Sequence, residues 1–226
     1  MASSFARLAL PIGGASVALG LSVKALAEVA LGDLVTFDER VLRSLADVRT
    51  GWLNARAVDF TALGSGTLLI IATFVIGLML MSTRDLFGAL QLALAASGAA
   101  LWTFVFKHWF ARPRPSVVEH LVVVSQAGYS YPSGHALGTA AAYFAFALVA
   151  RRHLPRHVTR EILVGFALLL ILVVSASRVY LGVHYASDVL AGVLIGVGWS
   201  LLVAGVFSVL ERARFRRSMA SLVAEP

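Results

Sequence analysis

Apolar runs recur along this chain, and polar residues rarely interrupt them. Six runs, at residues 8–23, 63–82, 86–106, 135–150, 162–176 and 189–210, approach the roughly 20 residues that a helix needs to cross a bilayer. Residues 34–49 (LVTFDERVLRSLADVR) behave differently. There Leu34, Phe37, Val41, Leu42, Leu45 and Val48 recur at helical spacing, with charges on the other face. That stretch is too polar to span and predicts an amphipathic helix, lying at the interface or packed over a bundle. The expectation is an all-α, polytopic membrane protein: six transmembrane helices plus one interfacial helix in a single domain over residues 1–226. No repeat or low-complexity tract interrupts it.

Composition agrees with this pattern. Hydrophobic residues make up 59% of the chain and charged residues 14%, with mean hydropathy +0.84, whereas a soluble domain carries about 25% charged residues. The net charge of +7 does not point to nucleic acid, because the basic residues sit in short loops and at the C-terminus. With six spans the 19 basic residues divide ten to nine between the two sides. The clusters at 151–160 and 212–217 flank spans closely, which places the C-terminus on the cytoplasmic side. Cysteine is absent, so disulfides and thiolate chemistry are excluded. Arg7, the first apolar run and the ALAE at 25–28 together resemble a signal peptide. The 16-residue run and the interrupting Lys24 favour a retained first span.

Ionisable residues at span ends are costly unless paired, solvated or functional. Three polar clusters interrupt this chain: KHWFARPRP at 107–115, YPSGHA at 131–136 and SRVYLGVHYASD at 177–188. Successive spans reverse direction, so all three fall on one membrane face. In the second cluster, Pro132 suits a helix start, Ser133 an N-cap, and Gly134 a close approach of ligand to backbone. A helix start is an anion site, and His135 lies in its first turn. In the third, His184 and Asp188 are four apart, sharing a face if helical. An Asp accepting from one imidazole nitrogen leaves the other as a nucleophile. Arg178 has the fork geometry that matches phosphate oxygens. Lys107 and Arg114 would bring the positive charges around one oxyanion to three, the clamp that phosphoryl transfer needs. The nearby acids are Glu119 and Asp188, too few for a two-metal site. No metal or other cofactor is therefore expected.

The three clusters together resemble the tripartite signature of the type 2 phosphatidic acid phosphatase superfamily. Lys107 is followed after six residues by Arg114–Pro115. Next come Pro132–Ser133–Gly134–His135, and then Ser177–Arg178, His184 and Asp188 at the family spacing, with every signature position matched. The resemblance covers roughly residues 64–210. It implies a six-span helical core and metal-independent hydrolysis of a phosphate ester or anhydride. By that likeness His184 attacks phosphorus and forms a phosphohistidine, Asp188 orients its ring, and His135 protonates the leaving oxygen. Lys107, Arg114, Ser133, Gly134 and Arg178 would hold the phosphate oxygens. Ser177 would pack or cap.

Other residues take ordinary roles on this reading. His108, Arg112 and His120 lie in the site segment without a substrate role. His153 and His157 are solvated in an Arg-rich loop. Gly192 and Gly196 pack helices closely, and Tyr129 and Tyr131 suit an interface. Loop 116–130 lines an entrance. The expected protein is a bacterial lipid phosphatase of the cytoplasmic membrane with its site on the periplasmic face. Its partners are the bilayer and a lipid phosphate: undecaprenyl diphosphate, phosphatidylglycerophosphate or phosphatidic acid. A phosphotransferase of the same fold is the alternative. A transporter would instead carry broken helices and polar groups at mid-membrane, and the vanadium haloperoxidases of the superfamily are soluble.

Overall fold

A computed structural model describes residues 2–29, 33–123, 128–155 and 157–224. Among them are eight helices: α1 (Ala2–Val29), α2 (Asp33–Asp47), α3 (Gly51–Ala62), α4 (Gly66–Ser82), α5 (Leu86–Phe110), α6 (Gly134–His153), α7 (His157–Tyr180) and α8 (Ala186–Ala224). Each of the six apolar runs lies on one of them. The all-α reading therefore holds.

By length and composition, three helices can cross a membrane: α5, α7 and α8 over Ala186–Arg216. The bent pair α3–α4 makes a fourth if counted as one span, with 43° between its halves. The run at 63–82 is thus only the second half of a broken element. Gly64 marks the break, and Ser65 caps α4 by accepting from Leu68 N at 3.3 Å. The helix at 51–62 escaped the pattern because Asn54, Arg56 and Asp59 dilute its apolar positions.

Helix α6 falls short of a span's hydropathy for a physical reason. It contacts α4, α5, α7 and α8, and Ala136, Ala140, Ala141, Ala145 and Ala147 are buried along it. A helix enclosed by helices needs small side chains for close approach more than it needs lipid-soluble ones. Gly192 and Gly196 of α8 make that approach, as their spacing predicts. A Cβ on Gly192 would lie 2.8 Å from Ser133 O, and one on Gly196 2.5 Å from Leu137 O. Along its length α8 also meets α1, where Gly13 faces Gly198 and Gly20 faces Ile195. The ALAE stretch falls within α1, but its side chains lie outside the described residues, as do those of Lys24 and Leu34. Arg156 and residues 124–127 of the entrance loop also lie outside them.

The outward faces are apolar. Ile70, Phe74 and Met79 on α4, Phe104 on α5 and Leu172 on α7 are all exposed, an apolar belt far larger than a soluble monomer shows. Helix α2 does not merely rest on the bundle. Leu42 joins a core cluster with Ala136, Val179 and Val189, while Phe37 and Val48 stay exposed.

Candidate active site

The three polar clusters meet at one end of the bundle, as their alternation along the chain predicts. Helix α5 ends there because Ala111 turns left-handed at φ 44°, its N–H bonding Lys107 O at 2.9 Å. A non-glycine residue in that region is held at a cost of about 1–3 kcal/mol. Pro113 and Pro115 then keep Arg112 and Arg114 extended. These two arginines nevertheless have different fates.

Arg114 turns toward the site. Its Nε donates to Gly128 O at 3.0 Å and its Nη1 to Val183 O at 2.9 Å. Nη1 also lies 3.4 Å from His184 Nε2. Its bonds go to neutral carbonyls and not to a carboxylate; burial lowers its pKa, with the nearby Asp188 charge opposing. Lys107 Nζ donates to Tyr129 O. Arg178 is buried on the last turn of α7, and its Nη1 donates to Thr61 Oγ1 at 2.8 Å. Its Nε has no partner among the described residues. Thr61 belongs to α3, the element missing from the sequence reading.

Ser133 stands at the N-cap of α6, yet its hydroxyl makes no cap bond. The expected side-chain cap is therefore not formed. Ser133 Oγ is buried without a partner among the described residues, while its backbone N–H donates to Asp188 O at 3.0 Å. That bond ties the start of α6 to the start of α8. A Cβ on Gly134 would meet Thr103 Cγ2 at 3.0 Å and Lys107 Cε at 4.0 Å, so the backbone there is bare toward the lysine. His135 in the next position is partly exposed, and Gly64 packs beside its ring.

His184 and Asp188 do not share a helix face. His184 lies in the turn before α8, and Asp188 is in that helix's first turn. The pair forms because the chain folds back. Asp188 Oδ2 accepts from Tyr185 N at 3.0 Å, closing the helix start. The same oxygen faces His184 Nδ1 at 3.6 Å, longer than a hydrogen bond. His184 is 2% exposed, and its pKa is lowered to about 4. Burial is the main cause, Asp188 opposes it, and Arg178 and Arg114 add to it. The imidazole is therefore neutral at physiological pH, with Nε2 turned toward Arg114. Gly182 at φ +80° makes the turn possible: a Cβ there would lie 2.7 Å from Glu119 O. Ser177 is buried and bonds Val174 O at 2.6 Å, the packing role expected of it.

Two further expectations need correction. Tyr131 is not interfacial. It is fully buried, its hydroxyl donating to Gly20 O and its ring meeting Phe110. His153 is not merely solvated: its Nε2 lies 2.8 Å from Asp85 Oδ2, while His157 is largely exposed. Arg112, expected to have no substrate role, bonds protein groups. Its Nη1 donates to Asp188 Oδ1 at 2.7 Å and Ser187 Oγ at 2.8 Å, and its Nη2 to Asp38 Oδ2 at 3.0 Å. The sequence signal for Asp38 was an acid within the apolar stripe of that helix, four residues after Leu34 and four before Leu42, and nothing local links it to Arg112. Among the described residues, His108 and His120 hydrogen-bond the carbonyls of Phe104 and Pro115.

A family model described as the PAP2 superfamily matches residues 87–212, which contain all three clusters. The chain belongs to the PAP2 superfamily. It is 31% identical over 180 residues to phosphatidylglycerophosphatase B of Bacillus subtilis, covering 78% of this chain and 86% of that one. It is 38% identical over 79 residues to a lipid A 1-phosphatase of Rhizobium johnstonii, which covers 35% of this chain and 28% of that protein. The crystal structure of a transmembrane PAP2-type phosphatidylglycerolphosphate phosphatase from Bacillus subtilis superposes with a TM-score of 0.77 at 31% identity. It covers 84% of this chain and 94% of that one. This PAP2 chain is accordingly an enzyme, a phosphatase of membrane-protein type. Among its described residues, no three His, Cys, Asp or Glu side chains cluster as metal ligands.

Proposed function

We propose that this chain hydrolyses a phosphate monoester or diphosphate on a membrane lipid, through a phosphohistidine at His184 and without a metal. The observation that carries the reading is the setting of His184, a neutral, buried imidazole with the Asp188 carboxylate at Nδ1 and the Arg114 guanidinium at Nε2. Nε2 attacks phosphorus while Nδ1 carries the ring proton toward Asp188. The developing charge on the phosphoryl oxygens falls to Lys107, Arg114 and Arg178, with Ser133 Oγ and the bare backbone at Gly134 as further donors. The bond to the lipid oxygen breaks, and His135 protonates that oxygen. Water then attacks that phosphorus and gives its proton to His135, the Nε2–P bond breaks with its electron pair returning to His184, and phosphate leaves.

Six spans and a single domain over 1–226 are part of this reading. They put the site at the membrane surface, where a phosphorylated headgroup meets it while the tail stays in the bilayer. The charge clusters at 151–160 and 212–217 support a cytoplasmic C-terminus and a site on the periplasmic face of the cytoplasmic membrane. The 31% identity to a phosphatidylglycerophosphatase over most of both chains supports phosphatidylglycerophosphate as first candidate, ahead of phosphatidic acid and undecaprenyl diphosphate.

The test is phosphate release by the purified protein in detergent with EDTA, offering the three lipids in parallel and His184→Ala as control. Release from at least one lipid that vanishes in the variant supports the reading. Turnover surviving in His184→Ala would remove the nucleophile assignment. Turnover requiring an added lipid acceptor would favour the phosphotransferase.

A further inference from the structure

Two arginines stand two residues apart in ARPRP, and only Arg114 aims its charge at the site. Arg112 is 13% exposed and lies between two carboxylates, Asp38 and Asp188, that are 0% exposed. Its plane also covers the Tyr185 ring at 4.1 Å, and its pKa is raised, the two carboxylates outweighing the opposing effect of burial. Asp38 does more than hold Arg112: its Oδ1 accepts from Ser187 N at 3.0 Å, and its Oδ2 accepts from Ser187 Oγ. A carboxylate from α2 thereby grips the first turn of α8 directly beside Asp188.

We propose that Asp38 and Arg112 are positioning residues of the PAP2 reaction, clamping the Asp188 carboxylate so that one oxygen faces His184. This rests on the reading of His184 as nucleophile and Asp188 as its orienting partner. The geometry supplies the reason. Asp188 Oδ1 is taken by Arg112 at 2.7 Å, and Oδ2 is held by Tyr185 N at 3.0 Å. The carboxylate cannot rotate without breaking both bonds, and Oδ2 is the oxygen that faces His184 Nδ1.

Charge supplies the second reason. One guanidinium opposite Asp188 alone would cancel its negative charge and leave little to stabilise the ring as His184 becomes bonded to phosphorus. With Asp38 on its other nitrogen, Arg112 is shared between two carboxylates, and the cluster retains net negative charge toward His184. The amphipathic helix is therefore part of the site. Its buried face delivers Asp38 and Leu42, and its exposed face meets the membrane surface.

The experiment compares Arg112→Lys, Asp38→Asn and the double variant with wild type in detergent, on whichever lipid phosphate the wild type hydrolyses fastest. Lysine keeps the charge but cannot reach Asp188, Ser187 and Asp38 at once. Each single variant should lower kcat about 10- to 100-fold, as loss of outer-shell partners does elsewhere, with KM within about twofold of wild type. The double variant should lose no more than Arg112→Lys alone, because both residues act through one contact. The proposal is overturned if kcat stays within about twofold in either single variant, if KM rises as much as kcat falls, or if the losses multiply. Should Arg112→Lys fail to fold, Asp38→Asn, which exchanges one oxygen for an amide of equal size, decides alone. His184→Ala run alongside separates the two claims. Activity surviving there removes the nucleophile, whereas a dead His184→Ala beside a normal Arg112→Lys overturns only the clamp.

Discussion

The two polar ends of the bundle use the same residue types to different effect. At the site end, Asp38, Asp188, His184 and Arg178 are buried and Arg112 is largely covered, and several of their contacts join residues 70 or more positions apart. At the opposite end, Arg151 and Glu161 lie 3.6 Å apart and His157 and Glu161 3.7 Å apart, with Glu161 53% exposed. Arg152–Glu211 and His153–Asp85 are closer but still partly open. Burial is the difference. Exposed pairs are screened and contribute about 0–1 kcal/mol each, whereas charges taken out of water must be fully partnered or await an anion. The pattern of partners then sorts the buried ones: Arg112 is neutralised by carboxylates, and Arg114 is not.

Substitutions that break this contrast should rank by how directly they touch the reacting nitrogen. His184→Ala removes it, and turnover should fall by ~10⁴-fold or more, as loss of a catalytic nucleophile does elsewhere, while the protein remains monodisperse in detergent. Asp188→Asn keeps the size but not the charge. A kcat loss of roughly 10²- to 10⁴-fold with KM little changed is expected from the carboxylate's role in comparable triads, and an unchanged kcat would remove that role.

The pH profile sharpens the contrast. His184 is lowered to about 4 from 6.5, so the free enzyme's imidazole stays neutral until the pH drops toward 4. The acid limb of kcat/KM should fall near 4; a limb at 6.5 would mean a water-like histidine. The stability linkage has the same sign. Between those values the unfolded chain binds a proton that the folded chain does not, so this group destabilises the fold as pH falls through 6.5 toward 4.

A smaller effect is expected one step away. Thr61→Val removes the hydroxyl on Arg178 and should raise KM about tenfold, the low end of what one hydrogen bond to a charged group contributes. Smallest of all is Glu161→Gln at the opposite end. It should leave kcat unchanged and shift stability by less than about 0.5 kcal/mol. A large loss of activity there would show that the two ends are coupled.

The sequence by itself determined the all-helical class, because runs of apolar residues of span length admit little else in a bilayer. It also fixed the shared face of the three clusters, since alternating spans must return there, and it named Lys107, Arg114, Ser133, Gly134, His135, Arg178, His184 and Asp188. Those signals are local in the chain or follow from counting. Folding decided what counting cannot supply. Helix α3 and its Thr61 contact, the loop geometry that pairs His184 with Asp188, the uncapped hydroxyl of Ser133 and the burial of Tyr131 all depend on which surfaces meet. So does the tie from Asp38 to Arg112, a contact between residues 74 positions apart. The pattern in α2 placed one acid, Asp38, within its apolar stripe, and only tertiary packing supplied the partners that hold it there. A polar residue's cost depends on burial and partners, and both are properties of the assembled bundle.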